Sequence, residues 1–508
     1  MIGWIAFGSF DHAQLNRLQR KSGSFCNSGW WGRVAVARTA LGIVNLARKD
    51  ADRALAERLF ENLRNLILDG VWRHGDKLPG TRIIARDAGV SRWTAVVAID
   101  MLIAEGLAEA RKRSGTYVSW TGQTRAPDQQ ERVREPAAPT APFALGLPAL
   151  ELFPMQAWRK LQGRRWRDMP TAALQEATSP GWPALRQAIA EFAATVRGIN
   201  CTADQVFVVT SLEAGGRLVG EVLCEPGGLA WVEDPGTRAT HALIRSAQLV
   251  PITVGVDREG IDVEEGRRLA PRATLAAVTP AAQFPTGLPM SDKRRRQLLD
   301  WAAAANAWIF EGDHALEFPH GRKPLAAAPG NDRVVYFDTF GKMLFPSLRL
   351  AYIIVPKSTV PRFEAADVNY DRPPPMPTQL VLADFLASGQ FAKHLRRCRE
   401  AYNERREALL AALAEECGTW LTVEPGQEGL FICARLPRGA DDEAIVAKAA
   451  ERGLVLASLS AHYERPTDDR GLVLGYSGFR PDQLRDAAKT LAQVLKSVAP
   501  LQERAATG

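Results

Sequence analysis

Ser91, Arg92 and Thr94 open an apolar run, SRWTAVVAIDMLIAEG (91–106), and Arg82 lies in a short helical stretch just before it. Hydroxyl and guanidinium side chains at a helix N-terminus suit hydrogen bonding to base edges and phosphates. A second cluster follows at Arg111-Lys112-Arg113, continuing into Ser114-Gly115-Thr116. A cationic tip with a glycine suits a close pass along a nucleic-acid backbone or minor groove. Charge alone does not decide for this chemistry, because residues 52–118 carry 11 basic and 9 acidic side chains. Solvated arginines on a small helical unit would look the same.

The elements that must hold these residues are legible. LAERLFENLRNLIL (55–68) places Leu55, Leu59, Leu63, Leu66 and Ile67 on one helical face. A turn at GDKLP (75–79) leads to a second helix through Ala88, Gly89-Val90 makes a tight bend, and Ser91 caps a third helix that ends at Gly106. Two helices joined by a glycine-containing turn form a helix-turn-helix. LAEARKRSGTYVSW (107–120) then predicts a hairpin with the basic cluster at its tip.

Over all 508 residues, 46% are hydrophobic and 24% charged, and lysine plus arginine exceed the acids by 64 to 57. That balance is globular and excludes a mostly disordered chain or a disulfide scaffold. No run reaches the roughly 18 apolar residues of a membrane span. The opening MIGWIAFGSF lacks a preceding basic stretch, so no secretory leader is expected. Six scattered cysteines without C-x-x-C spacing predict reduced thiols in the cytoplasm and no metal site.

Residues 1–45 have no clean period and are expected to be a disordered extension. Residues 46–118 hold the helix-turn-helix, and 119–142, rich in proline, glutamine and charge, form a linker. Residues 143–500 alternate strands with helices, with a short tail at 501–508. QVFVVT (205–210), LAWVEDP (229–235), LAAVTP (275–280), AWIFEGD (307–313), VVYFDTF (334–340) and LRLAYIIVP (348–356) predict a large α/β domain with a mostly parallel sheet.

LPGTRIIARDAGVSRWTAVVAIDMLIAEGL (78–107) with RSGTYV (113–118) resembles the GntR-family winged helix, in which LP-S-x-R, GVSR-x-T-V, L-x-x-EG and SGT-[FY]-V recur in this order. The resemblance implies binding to a double-stranded DNA operator through Arg82, Ser91, Arg92, Thr94, Arg113, Gly115 and Thr116. Trp93 stands where that family often has Asn or Gln, which implies altered base reading.

FALGLPALELFPMQAWRKL (143–161), WVEDPG (231–236), VTPAAQFPTGLPMS (278–291), DTFGKMLFPSLRLAY (338–352) and LVLGYSGF (472–479) resemble, in order, the MocR-type regulators. Those are GntR winged helices fused to an aminotransferase-like domain of fold type I that binds pyridoxal 5'-phosphate. The resemblance makes Lys342 the Schiff-base lysine and Arg349 the phosphate clamp, with Asp313 and His314 near the cofactor ring. It also implies a homodimer and a small-molecule effector, an amino acid or a vitamin B6 compound.

Several positions depart from the pattern. Leu212 and Glu213 replace the Gly-Ser of the phosphate cradle, Gly341 replaces a serine, and Thr237 an aromatic residue. Gly312 stands where the acid facing the pyridine nitrogen belongs, with His314 at a tyrosine position. On an extended strand Asp313 points to the opposite face, so it is no simple replacement for that acid. Val473 stands at the arginine that grips a substrate carboxylate, with Arg470 nearby but displaced. Transaminase turnover is therefore not expected, and the large domain is expected to dimerise and sense. Two alternatives stay open: a working aminotransferase with a DNA-binding appendage, and a cofactor-free scaffold.

Overall fold

The computed structural model describes residues 52–112, 114–121, 141–175, 180–312, 323–366 and 374–505. Arg113, Asp313, His314, residues 1–45 and most of the expected linker lie outside the described residues. Two compact units divide between Ala138 and Pro139.

In the first unit, α1 (Asp52–Leu68), α2 (Thr81–Ala88) and α3 (Arg92–Ala104) precede the antiparallel strands β1 (Ala108–Arg111) and β2 (Gly115–Val118). The apolar stripe of α1 is buried at Leu59, Leu63 and Ile67, against Ile84, Ala95, Ile99 and Leu102. Gly89 ends α2 in the left-handed region at φ 67°, and the Val90 amide returns to the Ala85 carbonyl at 3.0 Å. A side chain there would be strained, so glycine fixes the bend between α2 and α3.

In the second unit β3 (Val206–Val209), β4 (Leu229–Asp234), β5 (Val250–Asp257), β6 (Gly260–Ile261), β7 (Leu275–Val278), β8 (Trp308–Gly312), β9 (Val334–Thr339) and β10 (Ala351–Ile354) form one sheet. Among the described residues its order is β3-β10-β9-β8-β7-β4-β5-β6. The run from β9 through β5 is parallel, and β10 lies antiparallel to both its neighbours. β3, β7 and β10 are buried along their length, as strands covered on both faces must be. Trp231, Trp301 and Tyr336 belong to the core on one side of the sheet, and Phe207, Val232, Leu243 and Phe337 to that on the other.

A second, antiparallel sheet of β11 (Thr422–Val423), β12 (Phe431–Arg435), β14 (Gly471–Gly475) and β13 (Ala457–Ser458) shares a core with the helices Gln390–Cys417 and Pro481–Ala505. Val473 is fully buried in β14, paired with Cys433 and Ala457.

Candidate functional site

The start of α3 is built by a cap. The Ser91 hydroxyl accepts from the Thr94 amide at 3.0 Å, and the two hydroxyls lie 2.7 Å apart. Thr94 is 0% exposed: at the third helical position its side chain turns back into the cap. Arg82, Ser91 and Arg92 are exposed. Beside them Trp93 is 59% and Ile83 40% exposed, giving this surface an apolar component.

In the hairpin, Gly115 sits at φ 117°, and a Cβ there would come within 2.9 Å of the Lys77 side chain. Thr116 is half-buried, and its carbonyl accepts from the Leu78 amide at 2.8 Å. Arg111 lies over the Tyr117 ring at 4.5 Å, with Lys77 at 5.9 Å. Lys77 is a cation that the motif reading missed. Its signal is the bridge that the GDKLP turn makes with the return strand, Lys77 to Tyr117.

In the large unit, the carboxyl ends of β4, β7 and β8 open into a cavity of about 340 Å³. Ligands in parallel α/β sheets bind at these ends. Glu233, Val278, Thr279, Gly312 and Lys342 line it, with Leu212, Leu243, Phe284, Phe310, Leu430 and Phe431 as apolar walls. Lys342 is brought there by the short helix Phe340–Met343, whose Thr339 cap accepts from the Gly341 amide at 3.1 Å.

Helix α4 (Leu212–Leu223) begins at Ser211, whose hydroxyl accepts from the Ala214 amide at 3.2 Å. Leu212 lines the cavity and Glu213 is exposed. Thr237 caps α5 (Arg238–Ser246), accepting from the Thr240 amide at 3.0 Å.

Glu233 is 6% exposed. The Thr279 hydroxyl donates to its Oε2 at 2.7 Å and the Thr279 amide at 3.2 Å, while Oε1 has no hydrogen-bond partner. Burial pushes this carboxyl up to about 7, offset in part by the hydrogen bonds from Thr279 and by the nearby Gln283 side chain. Glu233 lies within the WVEDPG motif, which gave it no role. Its signal is an acid directly after the apolar run LAWV.

The described residues fit pyridoxal phosphate only in the lysine. Neither an arginine nor an aspartate is among the cavity's described lining residues. Gly312 faces the cavity, and a Cβ built on it would make only ordinary contact, 3.5 Å from Thr279 Cγ2, so the carboxylate is missing there although the space exists. Glu311 points away, with its carboxylate on the Leu325 and Ala326 amides at 2.7 and 2.9 Å, as strand alternation requires. Arg349 is the residue that the resemblance makes a phosphate clamp. It is exposed at φ 51°, just past the turn Pro346–Leu348, and does not line the cavity. The turn carries it to solvent.

These two units define a class: a DNA-reading winged helix joined to an α/β domain of aminotransferase type. Comparisons with known proteins agree. The bacterial regulatory proteins of the gntR family match residues 55–118, and aminotransferase class I and II matches residues 149–469. The probable rhizopine catabolism regulatory protein MocR of Rhizobium meliloti is 34% identical over 467 residues, covering 87% of this chain and 94% of that protein. The HTH-type pyridoxine biosynthesis transcriptional regulator PdxR of Corynebacterium glutamicum is 27% identical over 445 residues, covering 85% of this chain and 94% of that protein. Among solved structures, LysN, an α-aminoadipate aminotransferase from Thermus thermophilus, superposes with a TM-score of 0.64 at 25% identity. The match covers 71% of this chain and 92% of LysN. The chain belongs to the MocR-type branch of the GntR family, with a fold-type I aminotransferase domain. Among the described residues, no helix is long and apolar enough to cross a membrane.

Proposed function

We propose that this chain is a cytoplasmic transcriptional regulator that binds operator DNA through its winged helix and senses a small molecule in its aminotransferase-like domain. The observation that carries the reading is the exposure of Arg82 on α2 and of Ser91, Arg92 and Trp93 where α3 begins, together with the exposed hairpin cations Arg111 and Lys112. Arg92 donates to bases or phosphates, and the hairpin cations neutralise the backbone. A homodimer would present two such modules to paired half-sites. The effector acts by favouring one arrangement of the modules, since equal affinity for both would shift nothing. A mobility-shift titration across salt tests the DNA role. Affinity should fall steeply with salt and be lost in Arg92→Ala, whereas salt-insensitive binding that survives the substitution would overturn the assignment of α3.

A second reading, pyridoxal phosphate held covalently by Lys342, is favoured by that lysine's place on the cavity wall. Borohydride trapping and peptide mapping test it: label on Lys342 supports it and none rejects it. On either reading the large domain senses without transaminating. Release of pyridoxamine phosphate on addition of an amino acid would contradict that.

A further inference from the structure

Helix α3 has two faces of different use. Ala95, Ala98, Ile99 and Leu102 belong to the core of the winged-helix unit, and Thr94 is drawn into the cap. The other face presents Arg92, Trp93, Val96 and Asp100 to solvent. Trp93 is 59% and Val96 36% exposed. They stand at i and i+3, so their side chains leave the helix on the same side, about one turn apart. With Ile83 on α2, these are the exposed large apolar side chains of the unit among its described residues. A single exposed apolar residue needs no explanation. Two on the face assigned to reading bases, next to the cation Arg92, bear on what is read.

We propose that Trp93 and Val96 are specificity residues that read the C5 methyl groups of thymines in the major groove, beside the base or phosphate that Arg92 contacts. A side chain that reads the edge of guanine, adenine or cytosine must donate or accept a hydrogen bond. Valine does neither, and indole offers only one N–H donor. What both side chains offer is apolar surface, and the one apolar group on a base edge in the major groove is the thymine methyl. Contact removes that methyl and the facing side chain from water together. Asp100 is the next exposed residue on this face, and its carboxylate repels phosphates. The contact stretch therefore lies in the first turns of α3, as in other helix-turn-helix readers. The inference rests on the DNA-binding role proposed above and names the chemical group that is recognised.

The test uses the full chain and a duplex selected by it from a random library, in which each thymine is replaced in turn by deoxyuridine. Deoxyuridine keeps every hydrogen-bonding group of thymine and lacks only the methyl. Fluorescence anisotropy should show binding weakened about threefold to fivefold at each contacted thymine, the transfer free energy of one buried methyl group. Cytosine-to-5-methylcytosine changes outside those positions should leave affinity unchanged. In the double variant Trp93→Gln and Val96→Gln, shown to be folded by its circular dichroism, thymine and deoxyuridine duplexes should bind equally. Its salt dependence should match that of the wild type, since no charge has changed. The proposal is overturned if deoxyuridine at every position binds wild-type chain as tightly as thymine, or if the folded variant still prefers the methylated base. The deoxyuridine series on wild-type chain decides without any variant. If the wild type selects no sequence at all, the DNA-binding role itself fails. A selected sequence that is indifferent to methyl removal would sink only this inference.

Discussion

Replacing Glu233 by glutamine should stabilise the protein in a pH-dependent way. The carboxyl's pKa moves from 4.5 to about 7 on burial. The folded chain therefore holds this proton more tightly than the unfolded chain does, so ionisation opposes folding. The cost is absent well below pH 4.5, grows as pH rises between 4.5 and 7, and is fully present above 7. With about 1.4 kcal/mol per pH unit, the cost is small at pH 5 and on the order of 3 kcal/mol at pH 8. Glutamine keeps an acceptor for Thr279 and presents a neutral donor at the bare oxygen, as the protonated acid does. The stability difference between variant and wild type should therefore shift by roughly 2–3 kcal/mol in the variant's favour from pH 5 to pH 8. Urea unfolding of both chains at both pH values measures it. A difference that stays constant would show that Glu233 is not a destabilised buried acid.

Other consequences are as direct. Ser91→Ala removes the cap of α3 and should cost about 1 kcal/mol of winged-helix stability, read by thermal unfolding, with weaker operator binding. Trp93→Ala should change the preferred operator sequence without abolishing non-specific affinity, which selection from a random duplex library would read, because this side chain is exposed and uncharged. Gly216→Ala places a Cβ within 2.3 Å of the Leu243 side chain and should destabilise the large domain by about 1–3 kcal/mol in urea unfolding. Gly312→Asp should be tolerated, since a Cβ there meets nothing closer than 3.5 Å. It should also strengthen pyridoxal phosphate binding in a spectral titration by supplying the missing acid.

Much of the fold was legible because its strands are short, apolar and buried on both faces: the six runs singled out are β3, β4, β7, β8, β9 and β10. The strand β5 was missed. Its sequence, VPITVGVD, carries a proline and a glycine; only Val254 is buried, and Val250 and Asp257 at its ends are exposed. The two-residue strands β11 and β13 are too short to leave a pattern. At the sites, motif order picked out Lys342, Thr94 and Arg349; Lys342 is among the cavity's lining residues, Thr94 is buried, and Arg349 is exposed past a turn. Thr94 has a surface-type side chain that the cap draws inward. Arg349 has a binding-type side chain that a turn sends outward. Neither outcome is written in residue type, because each depends on a local dihedral or cap. Glu233 went unassigned because its burial beside Thr279 depends on where β4 and β7 end in the fold.

The central claim is that this chain reads DNA sequence through the start of α3. The most direct measurement is selection of bound fragments from a random duplex library by the full-length chain, in parallel with Arg92→Ala. The account predicts enrichment of a paired half-site motif by the wild-type chain and its loss in the variant. Enrichment of the same motif by both chains, or of none by the wild type, would contradict it.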